Sequence, residues 1–183
     1  MTAPELDQFH QQFEKVKDDA QELTRGLDEA QFNWKPAADQ WSIEECLAHL
    51  IIVGNREILA IESAIEDGRA RGVKGEGPFE PGPIERLIID LSRPPARLKF
   101  DAPRYFQPLH GQPLTAVMPS FLHLQRQFQI QLERADGLDL SRVQVATPIS
   151  RFLKMSLCGM FAQIAAHERR HVEQARRVRA LLG

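Results

Sequence analysis

Apolar positions recur at helical spacing along most of the chain. Over residues 5–30, Phe9, Phe13, Val16 and Leu23 fall on one side of a stretch rich in helix formers and free of Gly and Pro until Gly26. That pattern predicts one long amphipathic helix. Pro36 interrupts it, and Ser42 followed by Glu45 then forms a capping box opening a second helix over about residues 43–66, before Gly68. A third helix is expected over 120–135, with Phe121, Leu124, Phe128 and Leu132 as its apolar stripe and Gly137 as its end. The fourth should run over 155–182. No run alternates convincingly between apolar and polar residues, so no strand is expected.

Residues 68–119 break the rhythm. Nine of the twelve prolines lie there, with Gly72, Gly75, Gly77, Gly82 and Gly111. Phe79, Phe100, Tyr105 and Phe106 need packing partners, so the stretch reads as an ordered excursion carrying one short helix near Ile84–Leu91. Loops this long inside compact domains often act as lids. The fold class is therefore all-α: a four-helix bundle with a long Pro/Gly-rich crossover between helices 2 and 3.

Composition narrows the function classes. The 183 residues are 43% hydrophobic and 26% charged, the balance of one globular domain spanning 1–183. A net charge of −2 and a pI near 6.3 argue against nucleic-acid binding. Two cysteines, Cys46 and Cys158, make no disulfide framework. The first twenty residues lack the apolar core of a secretory signal, and the longest apolar run, Leu47 to Gly54, is too short to span a bilayer. A cytoplasmic protein without a membrane partner is the expectation.

The sharpest chemistry lies in H-E-R-R-H, His167 to His171. Histidines four apart share one helical face and can hold one metal ion. Met160, Ile164, His167, His171, Gln174, Val178 and Leu181 follow a 4-3-4-3-4-3 spacing, so both imidazoles fall on the line facing the core. The same string matches a zinc-protease motif in which Glu168 would be the general base. That reading needs a third ligand downstream, where only Glu173 offers a carboxylate, too close in the helix. A third ligand must come from upstream, and His49, two turns into the second helix, is the candidate. Three protein ligands plus water is the arrangement of a catalytic metal site. Taken singly, each histidine reads more simply as a core residue; together on the core faces of two helices they favour metal.

The block from Trp34 to Leu50, W-K-P-A-A-D-Q-W-S-I-E-E-C-L-A-H-L, resembles the entry to the second helix of the DinB/YfiT-like superfamily. Ala165 to Gln174, A-A-H-E-R-R-H-V-E-Q, resembles that family's fourth-helix signature, and Lys99 to Pro108 is similar to its proline-punctuated middle stretch. The resemblance implies a metal-binding four-helix fold, ligands His49, His167 and His171, nickel or zinc as the ion, and a homodimer. Some relatives are S-transferases or isomerases using low-molecular-weight thiols such as bacillithiol or mycothiol, and others have been called metal-dependent hydrolases. Thr147 stands where many relatives carry a histidine, so no fourth ligand is expected there.

Secondary candidates follow. Glu45 could orient His49 or serve as base, though its capping-box role is the plainer one. Gln174 could hydrogen-bond into the site. Cys46, three residues before His49, could add a soft ligand but reads mainly as a small buried hydrophobe, and His10, His110 and His123 read as surface or packing residues. Arg169, Arg170, Arg176, Arg177 and Arg179 give the last helix a basic, solvated outer face, with phosphate or nucleic-acid binding as the lesser alternative. Trp34 and Trp41 staple the loop before the second helix, although either could line the mouth of the site. The leading functional expectation is a thiol S-transferase holding a small electrophilic substrate under the 68–119 excursion. A hydrolase using Glu168 or Glu45 as base is the alternative. A non-catalytic stress-response module would instead shield its metal from any pocket, and a bundle with no metal would leave the histidines as packing residues.

Overall fold

A computed structural model describes residues 3–94, 102–148 and 150–183. Phe100 and the start of the Lys99–Pro108 stretch lie outside them. Six α-helices, one short 3-10 turn and a two-stranded antiparallel sheet make up the described chain: α1 (Pro4–Thr24), α2 (Glu29–Asn33), α3 (Ile43–Ala70), α4 (Pro83–Ser92), the 3-10 turn Arg104–Phe106, α5 (Leu114–Ala135), β1 (Gln144–Thr147), β2 (Ser150–Ser156) and α6 (Leu157–Ala180). None of the helices is long and apolar enough to cross a membrane.

The expected first helix is two. Gly26, at φ 74°, turns the chain after α1 in a conformation that L side chains rarely adopt, and Asp28 with Gln31 forms a fresh capping box for α2. The second long helix, α3, starts at the Ser42 capping box but passes Gly68 and ends at Ala70. Gly68 is a point of close approach: a Cβ there would sit 2.8 Å from Val143 Cγ2. Gly72, at φ 65°, follows as the terminator. Helix α5 begins at Leu114, six residues earlier than expected, despite Pro119 inside it. Its entry is held by Glu29 of α2, whose carboxylate accepts from Leu114 N at 3.0 Å. The short helix of the excursion is α4.

The hairpin β1–β2 corrects the expectation that no strand is present. Val145 pairs with Met155, both buried, and the register shifts between Ala146 and Thr147. β1 packs on α3, so tertiary burial specifies a strand too short to announce itself.

Helix α3 packs against α5 and α6, and α1 packs against the same two. Gly54 meets Leu124 near the middle of α3 and α5, while Arg69 donates to the Arg134 carbonyl at their far ends, so these helices run the same way. Phe9 meets Phe161 and Arg176 pairs with Asp19, so α1 and α6 also run together. Two apolar clusters result. One gathers Phe13, Ile61, Phe128 and Phe161, the other Val16, Phe32, Leu47, Phe121 and Val172. His49, Glu57, Gln125, His167, Glu168 and His171 fall between the two clusters along α3, α5 and α6. A polar layer thus crosses the interior between the two apolar clusters.

Candidate metal centre

Helix α3 presents His49 about two turns beyond its Ser42 cap, and α6 presents His167 and His171 on one face. The three offer ring nitrogens that all lie within 4.8 Å of one another. His167 Nε2 is 3.1 Å from His171 Nε2 and 3.4 Å from His49 Nε2. The outer nitrogens are held: His49 Nδ1 is 2.8 Å from the Phe106 carbonyl, and His171 Nδ1 is 3.1 Å from Gln174 Oε1. A carbonyl only accepts, so each of these Nδ1 atoms carries the proton and turns an Nε2 lone pair inward. Trp41 closes the outer side, with its ring 4.8 Å from that of His49 and stacked 5.6 Å from that of His171.

Burial holds all three imidazoles neutral. It lowers His49, an effect the Phe106 carbonyl partly offsets. It brings His167 down to about 3, helped by repulsion from His49 and Arg170. It takes His171 well below the ordinary histidine range, with the other two histidines adding to the effect. Neutral imidazole is the form that ligates metal.

The donor set fits a divalent cation. A proton on His167 Nε2 can satisfy only one of the two lone pairs facing it, whereas a cation among the three satisfies all of them. Nitrogens bound about 2.0–2.1 Å from a tetrahedral ion stand about 3.3–3.4 Å apart, close to the two separations observed. Imidazoles suit zinc, nickel, copper and iron alike.

The histidines line a cavity of about 340 Å³. Ile88 and Leu91 of α4, Pro103 and Phe106 of the excursion, and Leu153 and Met155 of the hairpin form apolar walls, with Thr147 at the hairpin turn. Glu85 fixes α4 against α6 by accepting from the Ser156 backbone N–H and, at 2.8 Å, from its hydroxyl. Arg56 lies over the Phe106 ring, 4.9 Å from its centre, which steadies the segment whose carbonyl holds His49.

The other candidate residues sort by geometry. Glu45 closes the α3 cap, accepting from Ser42 N at 2.8 Å and from Lys35 Nζ at 2.9 Å. Glu168 turns away from the cavity toward α5, where Gln125 Nε2 donates to it at 2.7 Å. Burial raises its carboxyl to about 8, against the Gln125 hydrogen bond. Cys46 is fully buried and its thiol pushed up, mainly by desolvation. His10, His110 and His123 are exposed. Arg176 and Arg177 lie on the outer face with Glu173, but Arg170 lines the cavity and donates to the Leu91 carbonyl at 3.0 Å.

Sequence reasoning missed Glu57. It lies on the face of α3 that carries His49 and Val53, at steps of four, and lines the cavity while only 4% exposed. The 49-53-57 spacing was the available signal. The Phe106 carbonyl had none, because a backbone contact across 57 residues leaves no mark in composition.

A family model for the DinB superfamily matches residues 12–175. A search of curated proteins found no match.

Proposed function

The chain belongs to the DinB superfamily, and from that premise we propose that it is a divalent-metal-dependent enzyme of the thiol S-transferase type acting on a small electrophilic molecule. In this reading His49, His167 and His171 hold nickel or zinc, and residues 71–113 form the crossover of a four-helix bundle. One observation carries the proposal: the three histidines whose ring nitrogens converge also line a largely apolar cavity. A non-catalytic module would have no use for that cavity.

A divalent ion there would lower the pKa of a bound thiol, making a thiolate available near neutral pH. The chain's own residues set the conditions. Gln174 and the Phe106 carbonyl aim the imidazoles, Trp41 covers the outer side, and Ile88, Leu91, Leu153 and Met155 keep water from competing with the thiol. The geometry favours transfer over hydrolysis. The two carboxylates that the sequence offers a hydrolase as base are taken up elsewhere, Glu45 in the α3 cap and Glu168 with Gln125. We include a cytoplasmic homodimer in the proposal, read by light scattering.

The test is turnover of 1-chloro-2,4-dinitrobenzene by zinc- or nickel-loaded protein with and without cysteine. A carbon–sulfur bond forms, chloride leaves with its electron pair, and the thiol proton goes to solvent. Thiol-dependent turnover abolished in His167→Ala supports the reading. Turnover that ignores thiol would sink it.

A further inference from the structure

Among the described residues, Glu57 is a carboxyl group with nothing to answer it. It has no hydrogen-bond or ion-pair partner among them, although it is 4% exposed and lines the cavity. The other buried carboxyls have partners, Glu44 in Gln112 and Glu45 in Ser42 and Lys35, while Glu168 accepts from Gln125 through Oε1 and leaves Oε2 unpaired among the described residues, away from the cavity lining. Arg170, a cation of the described lining, donates to the Leu91 carbonyl and lies beside His167 and His171. A nearly buried carboxyl without a protein partner is costly to ionise, so one that lines a cavity is placed to meet a partner that enters the cavity.

We propose that Glu57 is the polar anchor of the cavity, binding the ammonium group of a small ligand whose apolar body runs toward the three histidines. The inference rests on the cavity being the place where the proposed substrate or thiol binds. Eight residues separate His49 from Glu57, about 12 Å along α3, which sets the distance between the two polar ends of the cavity. Between them the walls are mainly apolar, so they suit a hydrocarbon stem. The polarity of the fit is fixed by charge. A cation at the histidines would repel an ammonium from one end, and the Glu57 carboxylate attracts it at the other. Burial raises the empty carboxyl to about 8, and an arriving ammonium draws it back to the ionised form, its proton leaving to solvent. The class of ligand is thus a primary alkylamine, and for the proposed reaction an aminothiol or an amine-bearing electrophile.

The experiment compares n-hexylamine with n-hexanol by titration calorimetry on zinc-loaded and chelator-treated protein. Wild type should bind hexylamine about tenfold or more tightly than hexanol, as a charge-assisted hydrogen bond gives. Glu57→Gln should lose that preference while keeping its affinity for hexanol, which reports an intact cavity. Glu57→Asp, which keeps the carboxylate but draws it back, should retain part of the preference. Equal binding of the two probes by wild type, or an undiminished amine preference in Glu57→Gln, would overturn the inference. The readout needs neither turnover nor metal, so it stands apart from the transferase reading. An amine preference with no thiol-dependent turnover removes that reading and leaves this one.

Discussion

Glu57→Gln exchanges a buried acid for a neutral side chain of nearly the same shape. Desolvation raises the Glu57 carboxyl from 4.5 to about 8. In the unfolded chain the group ionises near 4.5, while the native protein keeps its proton to about 8. The native state therefore binds more protons across that window. The stability Glu57 contributes is fully present below pH 4.5 and is lost as pH rises through 8. At 1.36 kcal/mol per pH unit, the whole window is worth about 5 kcal/mol. Glutamine titrates nowhere, but its amide enters the same apolar surroundings without a partner, at a cost of about 1–3 kcal/mol at every pH. The variant should thus be less stable than wild type by about 1–2 kcal/mol at pH 5 and more stable by about 2 kcal/mol at pH 9. Glu168 moves in the same direction, because Glu57 raises it too. Urea unfolding of chelator-treated protein at pH 5, 7 and 9 measures the difference. Parallel pH profiles for the two proteins would refute the reasoning. A variant that gains stability while losing its ligand would be a stability–function trade-off at a single carboxyl.

Gln174→Ala removes the acceptor that holds the His171 ring and should weaken zinc affinity by about tenfold or more, measured by competition with a chromophoric chelator, with the melting temperature of the chelated protein little changed. Gly54→Ala would place a Cβ 2.6 Å from Leu124 Cδ2 in the fully buried contact between α3 and α5. Its overpacking cost of about 1–3 kcal/mol outweighs the helix-propensity gain of about 1 kcal/mol, so urea melts should show a net loss.

The long helices and the histidine site were legible because they rest on local spacing. The 4-3-4 rhythm of α6 set His167 and His171 on the inward face, and the Ser42 capping box fixed where α3 begins and hence which way His49 points. Elements decided by tertiary contact were not legible. Gly68 looked like a terminator until Val143 packed against it, and Pro119 looked like a helix boundary although Glu29 supplies the α5 cap five residues upstream. The hairpin depends on burial of Val145 and Met155. Glu57 escaped notice because an acidic residue in a helix reads as solvated until the cavity around it is seen. Arg170 reversed in the same way, from outer face to cavity wall.

The measurement closest to the central claim is elemental analysis of untagged protein beside His49→Ala and His167→Ala, after reconstitution with zinc or nickel and removal of free ion. Neutral imidazoles whose Nε2 atoms converge at 3.1 and 3.4 Å predict about one ion per chain in the wild type and loss of it in both variants. Wild-type protein that holds no ion, or variants that hold it as firmly as wild type, would contradict the account.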